Sequence, residues 1–192
     1  VLEVASARIR AFISVDIEDP VVVSRIARIR DSFVATGAPM KPVEDRNFHV
    51  TIRFLGEIPV SIIDDVERVI AESRPRRVKL VLRGVGAFPS PSRPRVLWVG
   101  VSEGGEELER IHSVIERGLR RLGFRAEREE FTAHVTFARL KGGRNIDRVV
   151  KLLGELSDVE VGEVELSAVR LKQSILTRSG PIYKTIREVV AE

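Results

Sequence analysis

The sequence predicts an α+β fold built as one body of two similar lobes, and three observations carry that reading. Segments with the apolar, β-branched character of strands alternate with segments of helical periodicity along the chain. The phrase His-Val-Thr followed by an apolar residue occurs at His49–Ile52 and again at His134–Phe137, each time in a strand set between helices. No low-complexity linker separates the halves, so residues 1–192 are expected to form a single domain.

The elements follow in order. "RAFISVDI" (Arg10–Ile17) is apolar and β-branched enough for a buried strand. Asp19-Pro20 supplies an N-cap and a first-turn proline for a helix that should end at Gly37. "NFHVTIRFLG" is the next strand. "SIIDDVERVIAES" has helical periodicity and opens at Ser61 with Asp64 three residues on, close to a capping box. "RVKLVLRGVGAF" and "RPRVLWVGV" are strands separated by the turn-rich "PSPSRP". An amphipathic helix from Gly105 to Leu122 is stopped by Gly123. "FTAHVTFARL" is a strand, "NIDRVVKLLGELS" a helix capped by Asn145, and "VEVGEVELSAVRLKQS" and "PIYKTIREVV" close the chain as strands.

Composition sets the class. With 43% hydrophobic and 31% charged residues over 192 positions, the chain is globular rather than disordered. A net charge of +4 suits an acidic partner but decides little by itself. The sequence has no cysteine, hence no disulfide framework and no thiolate metal site, which fits a reducing compartment. No apolar run approaches the roughly 20 residues of a membrane span, and a cytoplasmic protein is expected. Asn occurs only at 47 and 145, Gln only at 173 and Met only at 40, a depletion of labile side chains typical of thermophiles.

The repeated phrase carries the chemistry. Positions two apart on a strand share a face. His49, Thr51 and Arg53 should therefore point one way, and Phe48, Val50, Ile52 and Phe54 into a core. His134 and Thr136 should likewise oppose Val135 and Phe137. A single exposed histidine is an ordinary strand residue; two of the chain's three histidines in one pattern imply a shared purpose. Imidazole serves as acid or base near neutrality, and a threonine hydroxyl can donate to a phosphate oxygen. Two such pairs across a groove could hold one phosphorus between a base for the entering oxygen and an acid for the leaving one.

The phrases "NFHVTIRFLGE", "RVLWVGV", "FTAHVTFAR" and "VRLKQSILTRSGPIYKTI" resemble the two-histidine (2H) phosphoesterases, in particular the RNA 2',3'-cyclic phosphodiesterases, long called 2'-5' RNA ligases. The similarity covers nearly the whole chain. It implies a bilobal, pseudo-two-fold-symmetric fold of two antiparallel-rich sheets flanked by helices, with a central groove carrying both His-x-Thr-x motifs. It also implies hydrolysis of a terminal 2',3'-cyclic phosphate to a 2'-phosphomonoester, with His49 as proton donor, His134 as proton acceptor, and Thr51 and Thr136 on the phosphate. Ala133 stands where many relatives have proline. The residue pattern alone does not say which histidine is acid and which is base. The implied partners are RNA ends with a 2',3'-cyclic phosphate, or small nucleotide cyclic phosphates. No cofactor, metal or membrane is called for, and a monomer is expected. The alternatives are an ATP-independent 2'-5' RNA ligase running the reaction backwards, and a nucleotide- or RNA-end-binding module without turnover.

Other residues have two readings. Arg53 could meet phosphate or pair with a carboxylate. Arg139 should leave the His134 face by alternation, unless the strand bulges, and is assigned to ion pairing. Ser174 and Tyr183 flank a Gly180-Pro181 turn and could touch ligand or merely hold a hairpin. Trp98 lies in an apolar strand and is assigned to the core; Phe88 could stack on a base. His112 is assigned to a solvated helix face and so to the role of a mutational control. The sequence lacks a Gly-x-x-x-x-Gly-Lys loop, a His-Glu-x-x-His helix and the Lys-x-Asp-Gly of nucleotide-activating ligases.

Overall fold

Antiparallel pairing accounts for every strand among the described residues. The computed structural model describes residues 7–192. It contains β1 (Arg8–Asp16), α1 (Pro20–Val34), β2 (Met40–Pro42), β3 (His49–Pro59), α2 (Ile63–Glu72), β4 (Lys79–Ser90), β5 (Arg93–Glu103), α3 (Gly105–Arg121), β6 (His134–Leu140), α4 (Ile146–Glu155), β7 (Glu160–Glu165), β8 (Ala168–Thr177) and β9 (Gly180–Val190). The order across the sheet is β7-β4-β5-β6-β3-β1-β8-β9, with the short β2 added beside β6.

The expected two sheets are joined as one. The strands that carry the two motifs, β3 and β6, touch through a single residue pair, Val50 opposite Val135. Both valines are fully buried. One half is therefore β3-β1-β8-β9 and the other β7-β4-β5-β6, meeting at that pair.

The helices cross over. α1 leaves the first half at the end of β1 yet packs on β6 and β7 of the second. α3 leaves β5 of the second half and lies on β3 of the first, beside α2, which also meets β9. α4 covers β4. Each apolar sheet face is thus closed by a helix from each half of the chain, and the Ile and Val rich core runs continuously beneath both.

The caps differ from expectation at two of three helices. Asp19 caps α1 as expected, accepting from the Val21 and Val22 amides at 3.0 Å. Ser61 forms no capping box, because a 3₁₀ turn at Val60–Ile62 precedes α2 and turns Asp64 outward to Arg187 at 3.1 Å. Asn145 is left-handed (φ 58°), and its amide donates to the Thr36 carbonyl at 3.1 Å instead of capping α4.

The continuous stretch Val159–Ser174 proves to be two strands. It breaks at Leu166-Ser167: β7 pairs with β4 at one edge of the sheet, and β8 pairs with β1 in the other half. Both strands alternate similarly, so the crossing leaves no periodicity change to read.

Candidate active site

The register fixes four side chains by backbone alone. With Val50 opposite Val135 in an antiparallel pair, one step either way sets His49 against Thr136 and Thr51 against His134. The valines face the core, so these four face away from it together. They line a groove of about 670 Å³ on that side of the sheet, and Ser174 and Tyr183 from the β8–β9 hairpin line it too.

Both imidazoles are held in the same way. His49 Nδ1 donates to the Asn47 carbonyl at 2.7 Å, and His134 Nδ1 donates to the Thr132 carbonyl at 2.6 Å. A proton fixed on Nδ1 leaves Nε2 as the atom free to accept or deliver one. His49 Nε2 lies 2.9 Å from Thr51 Oγ1. Aromatic rings brace both: Phe12 and Tyr183 at centroid distances of 5.0 and 5.5 Å from His49, and Phe88 and Trp98 at 4.9 and 6.0 Å from His134.

Arg53 and Arg139 exchange the places that simple alternation assigns them. In β3, Ile13 pairs with Arg53 and Ser14 with Thr51, leaving Ile52 as an extra residue, a β-bulge. Ile52 and Arg53 both turn inward as a result. Arg53, expected beside the phosphate, is only 8% exposed and bonded to Glu116 at 2.7 Å. Phe54, expected in the core, is 58% exposed and lines the groove. β6 has the matching bulge at Phe137, since Leu97 pairs with Ala138 and Trp98 with Thr136. Arg139, expected to turn away into an ion pair, joins the groove lining beside His134.

The two halves of the site are therefore electrostatically unlike. Burial pushes His49 below the usual imidazole value; the Asn47 carbonyl and the Asp16 carboxylate pull it back up, while Lys172 and His134 push it down. Burial pushes His134 down as well, the Thr132 carbonyl opposes this, and the Arg139 guanidinium adds to it. A carboxylate faces one imidazole and a guanidinium the other. Asp16 is directly across the β1–β3 ladder from His49. It accepts from Ser14 at 2.8 Å, Lys172 at 2.8 Å and Arg170 at 2.9 Å. Burial would raise its pKa, but those donors hold it below the ordinary carboxylate range.

Two residues beside His49 lie outside the sequence reading, and a third, Phe54, is assigned by it to the core. Asp16 sits at a strand end whose partner strand is not apparent from sequence, and Phe12 packs edge-on to Tyr183 at 4.8 Å from within an apolar run. Phe54 is turned outward only by the bulge. Trp98, assigned to the core, lies half-buried beside Thr136 on the groove side, with its Nε1 buried and unpartnered. Its indole fills the space above Gly86, where an added Cβ would come within 2.3 Å of the ring.

Known proteins resemble the chain in sequence and in fold. The sequence model of the 2'-5' RNA ligase superfamily matches residues 17–172. The chain belongs to that superfamily. An RNA 2',3'-cyclic phosphodiesterase of Aeropyrum pernix is 56% identical over 170 residues, covering 88% of this chain and 97% of its own length. Among solved structures, TT0787 of Thermus thermophilus superposes with a TM-score of 0.77 at 23% identity, over 94% of this chain and 97% of its own. Escherichia coli LigT complexed with phosphate does so with a TM-score of 0.73 at 19% identity, over 97% of this chain and 99% of its own. These two establish the α+β fold of the superfamily. Curated relatives of the chain come from thermophiles, in keeping with the scarcity of Asn, Gln and Met. No helix among the described residues is long and apolar enough to cross a membrane.

Proposed function

We propose that this superfamily member is an RNA 2',3'-cyclic phosphodiesterase that opens a terminal cyclic phosphate to a 2'-phosphomonoester. The observation that carries the reading is the pair of imidazoles in one groove, each with Nδ1 bonded to a carbonyl so that Nε2 is the atom left for proton transfer. The high identity to a curated RNA 2',3'-cyclic phosphodiesterase, and the phosphate complex of LigT, support it.

The neighbours of the two rings support one assignment of the roles that the residue pattern left open. His134, pushed down by burial and further by Arg139, acts as base. His49 is also pushed down by burial, but it has the Asp16 carboxylate nearby to favour its charged form, and acts as acid. Water gives a proton to His134 Nε2, and its oxygen bonds to phosphorus. The bond from phosphorus to the 3'-oxygen breaks, and that oxygen takes the proton from His49 Nε2. Thr136 donates to a non-bridging oxygen. When His49 is protonated, its Nε2 no longer accepts from Thr51, so the Thr51 hydroxyl is released to donate to phosphate while the Nε2–H serves the 3'-oxygen. Arg139 lies where it can meet the charge that builds on the equatorial oxygens, while Phe54 and Tyr183 offer aromatic faces for the terminal base. Ser174 contributes a hydroxyl at the hairpin edge of the groove.

The reading includes a monomeric, cytoplasmic enzyme that needs no metal. An oligoribonucleotide ending in a 2',3'-cyclic phosphate, incubated with EDTA present, tests it. Release of a 2'-phosphate end, lost in both His49→Ala and His134→Ala, is the expected result. Binding without turnover would assign the chain to RNA-end recognition alone. Joining of two RNA ends through a 2'-5' bond, with little hydrolysis, would favour the reverse reaction. Abolition of turnover by EDTA and its recovery on adding a divalent cation would remove the metal-free mechanism.

A further inference from the structure

The two catalytic rings are aimed alike but their carbonyl partners are anchored differently. Asn47, which aims His49, ends a 3₁₀ turn at Asp45–Asn47. Its own amide N donates to Glu44 O at 2.9 Å, and its side chain donates to Pro181 O at 3.2 Å. Thr132, which aims His134, lies in a stretch from Phe124 to Ala133 that has neither helix nor strand. A ring is aimed only as well as its carbonyl is fixed.

Side chains from β3 and from α3 hold that stretch. Arg53 Nη2, from β3, donates to the Arg125 carbonyl at 2.6 Å, and Arg53 Nε lies 2.7 Å from Glu116 and 3.5 Å from Glu127. The Glu127 amide donates to Glu116 Oε1 at 3.3 Å. His112, from α3, donates through Nε2 to Glu127 Oε2 at 3.2 Å. The same imidazole stacks flat on Phe131, with centroids 4.5 Å apart and planes 9° from parallel. Phe131 is the residue before Thr132. His112 is no solvated helix residue; its side chain is 15% exposed, because it is clamped between Glu127 and Phe131.

We propose that His112 and Arg53 are positioning residues, which fix the Thr132 carbonyl through Phe131 and Glu127 and thereby hold His134 at its working angle. The proposal rests on the assignment of His134 to catalysis made above. His112, Glu116 and Glu127 also bring ligand-type atoms within 4.8 Å of one another, the spacing of a metal set. The Arg53 guanidinium already meets both carboxylates there, so the cluster is assigned to Arg53 and not to a cation. An arginine turned inward by the bulge after the first motif thus steadies the histidine of the second.

The test uses His112→Ala and His112→Phe in the full chain, with two readouts. One is kcat and KM on the cyclic-phosphate oligonucleotide. The other is NMR titration of the His134 ring, which needs no turnover. His112→Ala should lower kcat by about tenfold or more, the scale of an ångström-level misplacement, with KM little changed. It should also move the His134 titration to lower pH, since a loosened carbonyl supports the imidazolium less well. His112→Phe keeps a flat ring on Phe131 and should recover most of kcat. A His112→Ala enzyme with wild-type kcat and an unmoved His134 titration overturns the proposal. Should His112→Ala fail to fold, Phe131→Leu, which keeps bulk but loses the stack, carries the same expectations. Undiminished hydrolysis by His134→Ala would instead overturn the catalytic assignment, so the two failures are distinguishable.

Discussion

Replacing Arg53 by methionine keeps most of the buried stem and removes only the charged fork. The guanidinium bonds to Glu116 and to the carbonyls of Phe54 and Arg125 at 2.6–2.7 Å. Without it, Glu116 and Glu127 face each other with no cation between them. Removing one partner of a buried ion pair costs about 3–5 kcal/mol. The carboxylates are 15% and 30% exposed, so water can still reach them and the low end applies, about 3 kcal/mol. For a chain of this length that corresponds to a fall in Tm of roughly 6–12 °C. Denaturant unfolding at pH 7 measures the loss directly. Burial would raise Glu116, but the Arg53 hydrogen bond and charge outweigh it and hold the group below its usual value. Its contribution is present above the ordinary carboxylate range and is lost as pH falls through the depressed folded value. The gap between wild type and Arg53→Met should therefore narrow below about pH 4. A loss under about 1 kcal/mol, the size of an exposed pair, would refute the reasoning. So would a gap that stays constant from neutral to acid pH.

Three further outcomes are expected. Asp16→Asn removes the carboxylate that favours protonated His49, so the alkaline limb of the kcat profile should move to lower pH; a limb that stays put or rises would contradict the acid assignment. Arg139→Gln should cut kcat/KM by about 10- to 100-fold, matching the roughly 1.5–3 kcal/mol of a charge-assisted hydrogen bond. An effect below twofold on steady-state turnover would take Arg139 out of the phosphate site. Gly86→Ala drives a methyl into the Trp98 indole and should destabilise by about 1–3 kcal/mol in thermal or denaturant unfolding, with the Trp98 emission displaced; unchanged stability and emission would show that the indole can swing clear.

The motif faces were legible because they rest on a period of two and a sharp division between apolar and polar positions. Val50 and Val135 had to be buried, and that alone sends His49, Thr51, His134 and Thr136 to the other side. What could not be read is where the period slips. A bulge needs one extra residue and no particular residue type, so nothing at Ile52 or Phe137 announces it. One slip moved Arg53 inward and Phe54 outward, and the other brought Arg139 into the groove. The crossing at Leu166-Ser167 was invisible for a related reason: alternation continues across it while the partner strand changes. Asp16 acts through contacts with residues far along the chain, and His112 through a stretch that has neither helix nor strand. Local sequence shows Asp16 only as a strand end and His112 only as one turn of a charged helix.

The exchange of helices between the halves has a thermodynamic consequence. Because α1 covers strands laid down later in the chain, and α3 covers a strand laid down earlier, neither half can bury its own apolar face unaided. A fragment ending between β5 and α3 would present bare valine and isoleucine surface to water and clump. Heating the intact chain should accordingly melt both halves in one calorimetric event, with equal van't Hoff and measured enthalpies.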